Sequence, residues 1–344
     1  MPDRSMTRQL RYGEAINEAL RRALGEWPET ILYGEDVAKP GGVFGVTRRL
    51  RREYGERVFD TPISESAILG SAVGAAVMGL RPVVEIMWAD FSLVALDQLI
   101  NQAANVRYVS RGELSAPITV RTQQGFAPGA CAQHSQCLEA IFTHIPGLRV
   151  CMPSTAQDAY DLTLAAVACD DPVIVIESRR LYAGEKQPVQ MGGPVPPIGG
   201  HRLRRAGDNI TIVTWGAITH DVLAAAEDLQ AGHGIGAEVI EAIWLDPFDR
   251  DALIRSTSRT GRLAVVHEAN VTGGFGAEVL ARAAEAGVRL QVPPQRLGLP
   301  DVRMPAATGL ADAVLPRPAA ICDLVLGMVR PGRPAPAAHA AGKP

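Results

Sequence analysis

The chain has 344 residues, 47% of them hydrophobic and 21% charged, with a formal net charge of −3. That length allows two domains with full cores, and the charge balance gives no electrostatic case for nucleic acid or an anionic membrane. No apolar run reaches the roughly 18 residues of a membrane-spanning helix, and the N-terminus lacks the basic, apolar and small-residue order of a secretory signal, so a cytoplasmic protein is expected.

Tyr12, Ile16, Ala19, Leu20 and Ala23 recur at helical spacing with Pro28 beyond them, which predicts a first amphipathic helix. Ile31-Leu32-Tyr33 reads as a strand leading into Gly34-Glu35-Asp36. The loop from Lys39 to Gly45 follows, and its paired glycines permit unusual backbone angles. A basic helix over 47–54 precedes a short strand at Val58 and Phe59. Asp60-Thr61-Pro62-Ile63-Ser64-Glu65-Ser66 then joins that strand to a helix of small residues. Pro62 ends the strand, Ser64 is placed as an N-cap, and Glu65 falls in the first turn, where the helix dipole favours a carboxylate. Glu65 has two readings: a helix-capping acid, or a carboxylate at the carboxyl end of a parallel strand, where open α/β sheets bind ligands. Gly70 and Gly74 clear one helix face for close packing, within the chain or between subunits.

A strand over 82–87 turns at Trp88 into a long helix through about Arg107, with Phe91 at a hydrophobic-staple position. The apolar strand 117–122 opens into the loop Gln123 to Ala130, which closes at Gln133-His134-Ser135-Gln136. A histidine in such a loop is either solvated or functional. Cys131, His134 and Cys137 form a C-x2-H-x2-C cluster without a fourth zinc ligand nearby. Five cysteines without framework spacing indicate a reducing compartment. A strand at 148–152, a capping box at Ser154 to Gln157, a helix to Ala168 and a Val/Ile-rich strand at 172–177 follow. This alternation predicts a mostly parallel sheet.

Between 184 and 207 prolines and glycines accumulate without periodicity, which predicts a linker. Strand–helix alternation resumes at Ile210 to Trp215, Ala237 to Ile243 and Leu263 to Glu268, and a disordered tail is expected over 331–344. Gly273-Gly274-Phe275-Gly276 follows a strand and opens a helix without the G-x-G-x-x-G spacing, which favours a packing turn over a dinucleotide site.

Five segments in their order and spacing carry a resemblance: Gly34-Glu35-Asp36-Val37, Asp60-Thr61-Pro62-Ile63-Ser64-Glu65, Gly79-Leu80-Arg81-Pro82, Ala132-Gln133-His134-Ser135-Gln136, and Val271-Thr272-Gly273-Gly274-Phe275-Gly276-Ala277-Glu278. With them the chain resembles the beta subunit of the thiamin-diphosphate-dependent decarboxylase component of 2-oxo acid dehydrogenase complexes. That group includes pyruvate, branched-chain 2-oxo acid and acetoin members. The resemblance implies a transketolase-like α/β arrangement: a mostly parallel pyrimidine-binding domain over 7–183, the linker 184–207, and a smaller α/β C-terminal domain over 208–330.

The resemblance further implies that Glu65 hydrogen-bonds a pyrimidine nitrogen of thiamin diphosphate, so that the cofactor's own amino group becomes the base. Phe91 would pack on the aminopyrimidine ring, Ile63 would line the cofactor, and His134 would serve acyl transfer to the lipoyl group. Carbonyls near Ile118, Ala166, Cys169 and Asp171 correspond to a potassium site that steadies the His134 loop, although relatives carry Asp or Asn where this chain has Cys169. No Gly-Asp-Gly segment with a following asparagine is present to hold magnesium and the diphosphate. Those are expected from an alpha subunit, in an alpha2-beta2 heterotetramer whose active site lies between subunits. The implied activity is oxidative decarboxylation of a 2-oxo acid with reductive acylation of a lipoyl domain of the dihydrolipoyl acyltransferase core. Acetoin dehydrogenase, or a non-catalytic subunit tethering its partner to that core, are the alternatives.

Overall fold

The structure is a computed structural model and describes residues 6–330; the tail expected over 331–344 lies outside the described residues. The chain divides into two compact units. One comprises the chain up to Ala127 with Gln133–Gly199 and Trp244–Pro247; the other comprises Pro128–Ala132, Gly200–Ile243 and the chain from Phe248 onward. In chain order the strands are β1 (Met6–Leu10), β2 (Thr30–Gly34), β3 (Val58–Asp60), β4 (Arg81–Ile86), β5 (Thr119–Gln124), β6 (Arg149–Cys151) and β7 (Val173–Ser178). They continue with β8 (Gln187–Met191), β9 (Arg202–Arg205), β10 (Ile210–Thr214), β11 (Ala237–Glu241), β12 (Trp244–Asp246), β13 (Leu263–Asn270) and β14 (Gln295–Leu299).

The first unit holds a seven-stranded sheet in the order β12-β6-β7-β5-β4-β2-β3. Every pairing in it is parallel except β12 with β6. All residues of β5 and β7 are buried, as a parallel sheet covered on both faces requires. The helix Tyr12–Glu26 buries Ile16, Ala19, Leu20 and Ala23, the stripe its spacing predicts, and shares a core with Tyr160 and Leu164 of the helix Ala156–Ala168. Thr155 caps the latter helix by accepting from the Asp158 amide, one residue later than the Ser154–Gln157 reading.

Three other expectations need correcting. Ser64 stands at the N-cap of the helix Glu65–Val77, but its hydroxyl makes no capping hydrogen bond. The long helix expected after Trp88 is a broken run of short α and 3-10 turns with a π turn at Gln98–Gln102. Apolar periodicity reports which side chains face inward, not the size of the hydrogen-bonded ring, so it does not separate these forms. The stretch 184–207 contains β8 and β9. Strand β8 pairs antiparallel with β1, a ribbon whose two halves lie far apart in sequence, and β9 edges the second sheet.

Three buried charges cross the middle of the first sheet. Arg121 on β5 is directly opposite Glu85 on β4, and its guanidinium reaches Glu85 Oε2 at 2.6 Å. Toward β7 it grips Glu177 with Nε and Nη2, at 2.7 and 2.9 Å. The Tyr182 hydroxyl donates to Glu177 Oε2 at 2.5 Å. Burial alone would disfavour the charge on Arg121, but Glu177 and Glu85 outweigh it and hold the guanidinium more firmly protonated than usual. Burial pushes the Glu85 carboxyl and the Tyr182 phenol up. Removing the cation leaves two carboxylates in a dry sheet. Arg121→Met is therefore expected to cost about 3–5 kcal/mol in urea unfolding; a loss below roughly 1 kcal/mol would mean that water already screens these charges.

The second unit is a five-stranded sheet in the order β14-β13-β10-β11-β9, parallel except for β9. At its centre the His267 ring on β13 stacks on Trp215, with centroids 5.3 Å apart and planes 9° apart. Glycines make room for the ring: a Cβ added at Gly276 would lie 2.7 Å from His267 Nε2, and at Gly298 2.9 Å from Cε1. Gly276 of the glycine turn is thus an imidazole seat, which accounts for it without a nucleotide. Burial lowers the His267 pKa to about 4. The unfolded chain, with an ordinary imidazole near 6.5, binds the extra proton first as pH falls. Stability from this group is full above pH ~6.5 and is lost progressively down to pH ~4, about 3 kcal/mol in all. Denaturant titrations read by tryptophan fluorescence should show this slope in the wild type and lack it in His267→Gln; equal slopes would contradict the assignment.

Candidate functional site

The carboxyl ends of adjacent parallel strands of the first sheet gather a set of chemically capable side chains. Glu35 follows β2, Glu65 opens the helix after β3, Trp88 and Phe91 follow β4, His134 ends the loop after β5, and Arg179 follows β7. This is the edge where open α/β sheets place ligands.

Local bonds explain how each is held. The Asp60 carboxylate accepts from the amides of Ala38 and Lys39 at 2.6 and 3.2 Å, and the Thr61 amide donates to Gly34 O. The turn of the Asp60–Ser66 motif thus ties the ends of β2 and β3 together. Gly34 has no room for a side chain: a Cβ there would lie 2.7 Å from the Glu85 carbonyl. Ser66 Oγ donates to the Val94 carbonyl at 2.8 Å, which fixes the start of the Glu65 helix against the segment just after Phe91. Glu65 is half-buried in the first turn of its helix. The neighbouring Glu35 carboxyl is pushed up by burial and by the charge of Glu65. Glu35 lies in the Gly34-Glu35-Asp36-Val37 segment, and its spacing alone carries no sign of this pairing with Glu65.

The loop after β5 is pinned at both ends. Gln124 donates to Glu139 at 2.7 Å and accepts from the Leu138 amide at 3.0 Å, while Gln136 Nε2 donates to Asp90 Oδ1 at 2.9 Å. Asp90 immediately precedes Phe91, so the last of these bonds brings two expected site residues together. The Phe91 and His134 rings meet edge to face at 5.3 Å. Trp88 completes the cluster, 5.0 Å from His134 and 6.0 Å from Phe91. Phe44 lies 5.8 Å beyond Trp88, and the Arg179 guanidinium sits over both rings, 5.6 Å from Phe44 and 5.4 Å from Trp88. Burial lowers the Arg179 pKa. Sequence reading missed Phe44, Trp88 and Arg179 as a unit, because they come from three loops and no spacing links them.

Ile63 and the four potassium positions lie outside this cluster. Ile63 is 82% exposed, so this chain alone does not enclose it. Of the potassium positions, Ile118, Cys169 and Asp171 precede β5 and β7 at their amino ends and Ala166 lies in the last turn of the helix Ala156–Ala168, at the opposite end of the strands from the His134 loop. Arg81 Nη1 donates to the Cys169 carbonyl at 3.1 Å, and the Val173 amide donates to Ile118 O at 2.9 Å. Among the described residues no group of three His, Cys, Asp or Glu side chains is arranged to hold a metal, and the five cysteines are free thiols.

Residues 8–185 match the family described as the transketolase pyrimidine-binding domain, and residues 199–321 the transketolase C-terminal domain. The chain is 39% identical over 330 residues to the acetoin:2,6-dichlorophenolindophenol oxidoreductase subunit beta of Cupriavidus necator, covering 90% of this chain and 97% of that one. It is 41% identical over 293 residues to the 2-oxoisovalerate dehydrogenase subunit beta of Bacillus subtilis, covering 85% and 89%. It is 40% identical over 298 residues to the pyruvate dehydrogenase E1 component subunit beta of Acholeplasma laidlawii, covering 86% and 91%. Among solved structures, a split-gene transketolase described as an inactive beta4 tetramer superposes with a TM-score of 0.76 at 23% identity, covering 94% of this chain and 99% of that one, a likeness of fold.

Proposed function

The chain belongs to the transketolase-like family of 2-oxo acid dehydrogenase beta subunits, which depends on thiamin diphosphate, and we propose on that footing that it supplies the pyrimidine half of a decarboxylase active site. The reaction is oxidative decarboxylation of a 2-oxo acid, pyruvate or branched-chain, with transfer of the acyl group to a lipoyl acceptor. The observation that supports this reading is that Glu65, Phe91 and His134 all follow carboxyl ends of strands of one parallel sheet, with Phe91 and His134 in ring contact.

The residues fit one half of the cofactor. A half-buried carboxylate beside a second carboxyl of raised pKa, together with an aromatic ring, suits a flat, nitrogen-bearing heterocycle. When bound, the cofactor supplies the carbon nucleophile and the electron sink for loss of carbon dioxide. Glu65 would hold a pyrimidine nitrogen of the cofactor and bias its tautomer, and Phe91 would pack on the ring. His134, oriented by Trp88 and the Gln136–Asp90 bond, donates a proton to the sulfur of the acyl acceptor. Without a Gly-Asp-Gly segment this chain brings no ligand set for magnesium and the diphosphate, which an alpha subunit holds in an alpha2-beta2 assembly. Exposure of Ile63 at 82%, Val94 at 62% and Met78 at 83%, on and beside the Glu65 helix, supports a subunit interface there. The identity to an acetoin-oxidising relative keeps a hydroxyketone substrate as the second reading.

With the alpha partner reconstituted, Glu65→Gln should lower turnover by about 100-fold or more while leaving the assembled mass unchanged on light scattering. Full activity in that variant would reduce this chain to a tether between its partner and the acyltransferase core. Assays across pyruvate, branched-chain 2-oxo acids and acetoin assign the substrate.

A further inference from the structure

Beside the aromatic cluster the first unit contains a cavity of about 610 Å³, open to solvent, whose wall includes Phe44, Tyr182 and Arg179. Seven basic residues line it against two carboxylates, Glu14 and Glu18. Both carboxylates are engaged: Glu18 pairs with Arg8 and Arg21, and Glu14 accepts from the Arg11 amide at 2.8 Å at the start of its helix. Arg11, Arg48, Arg49, Arg179 and Lys186 are left without a carboxylate partner among the described residues. Such crowding of like charge opposes folding unless something gains from it.

The wall is built before any ligand arrives. Asn17 Nδ2 donates to the carbonyls of Val46 and Arg48, at 2.6 and 3.2 Å, and Thr47 Oγ1 donates to Val37 O at 2.7 Å. These bonds fix the loop that carries Arg48 and Arg49. The Arg48 guanidinium lies against Gly45, where an added Cβ would meet it at 3.0 Å. Arg49 holds a left-handed backbone, with φ 72°, which is unfavourable for a side chain of its size. The Arg179 guanidinium sits over the Phe44 and Trp88 rings, 5.6 and 5.4 Å from their centroids, which limits the freedom it has to lose on binding.

We propose that this cavity binds a small polyanion carrying several phosphate groups, through the forked guanidinium groups of Arg48, Arg49 and Arg179 together with Arg11 and Lys186. Planar guanidinium forks match phosphate oxygens two at a time. Five unpaired cations around one concavity of ligand size call for more negative charge than a single carboxylate carries. The wall shares Phe44 and Arg179 with the cluster holding His134, so occupancy lies one ring, Trp88, away from the candidate site. The proposal does not depend on the reaction assigned above, because its readout is binding alone.

The test is calorimetric titration of the full chain with inorganic tripolyphosphate at fixed ionic strength, with citrate as the carboxylate comparison. Tripolyphosphate should bind about 10-fold or more tightly than citrate. The double variant Arg48→Gln/Arg49→Gln should lose about 10-fold or more in affinity, as should Arg11→Gln/Lys186→Gln, which avoids the loop in case the first pair disturbs it. The surface variant Arg289→Gln should bind as the wild type does. Equal binding of tripolyphosphate and citrate overturns the phosphate assignment, and affinity unchanged in both double variants overturns the site. Loss of binding when the alpha partner is added makes the cavity a subunit contact and also overturns the proposal.

Discussion

The arrangement of Arg121 between Glu85 and Glu177 is the constraint on which the first unit turns. A guanidinium and two carboxylates in a sheet with no water cost several kcal/mol each to desolvate, and only a full set of bonds offsets that. The set exists in one register. A one-residue slip of β4 or β7 against β5 would turn its carboxylate to the other face of the sheet. The charges therefore specify register more than they add stability. The beneficiaries are the carboxyl ends of the same three strands, which carry Phe91, the His134 loop and Arg179. Tyr182 extends the network to the cavity wall, where its ring meets those of Tyr12 and Phe44.

Much of this was legible in the sequence. The parallel core strands are runs of Val and Ile, the first helix is a clean amphipathic stripe, and the motif around Glu65 falls at a strand end. What was not legible depends on partners distant in sequence. Strands β1 and β8 are short, half-exposed and carry arginine, glutamine and proline, so no apolar alternation marks them. Arg121 reads as a polar interruption until Glu85 and Glu177 stand beside it. The aromatic cluster draws single residues from three loops. In each case the missing information was a contact, which composition and periodicity do not contain.

The glycine turn at 273–276 is the reverse case, a motif that resembles a nucleotide loop and, as its spacing favours, serves packing. Gly276 lies where a Cβ would strike the His267 ring, and the ring is itself stacked on Trp215. An imidazole so enclosed stays neutral across the physiological range and adds no charge to the second unit. Its role is shape. The glycine and the histidine form one packing unit, and changing either requires changing both.

The position of Glu65 in its helix is compatible with the proposed contact to a cofactor. It occupies the first turn of a helix whose N-cap serine makes no side-chain bond, so the helix start is held by other means: the Ser66 bond to Val94 and the ties between Gly34, Thr61 and Asp60. A carboxylate released from capping yet carried on a fixed backbone is free to accept a bond from a ligand without melting the helix. The Glu35 carboxyl beside it is pushed up by burial first and then by the charge of Glu65. A positively polarised heterocycle placed against Glu65 would relieve that repulsion.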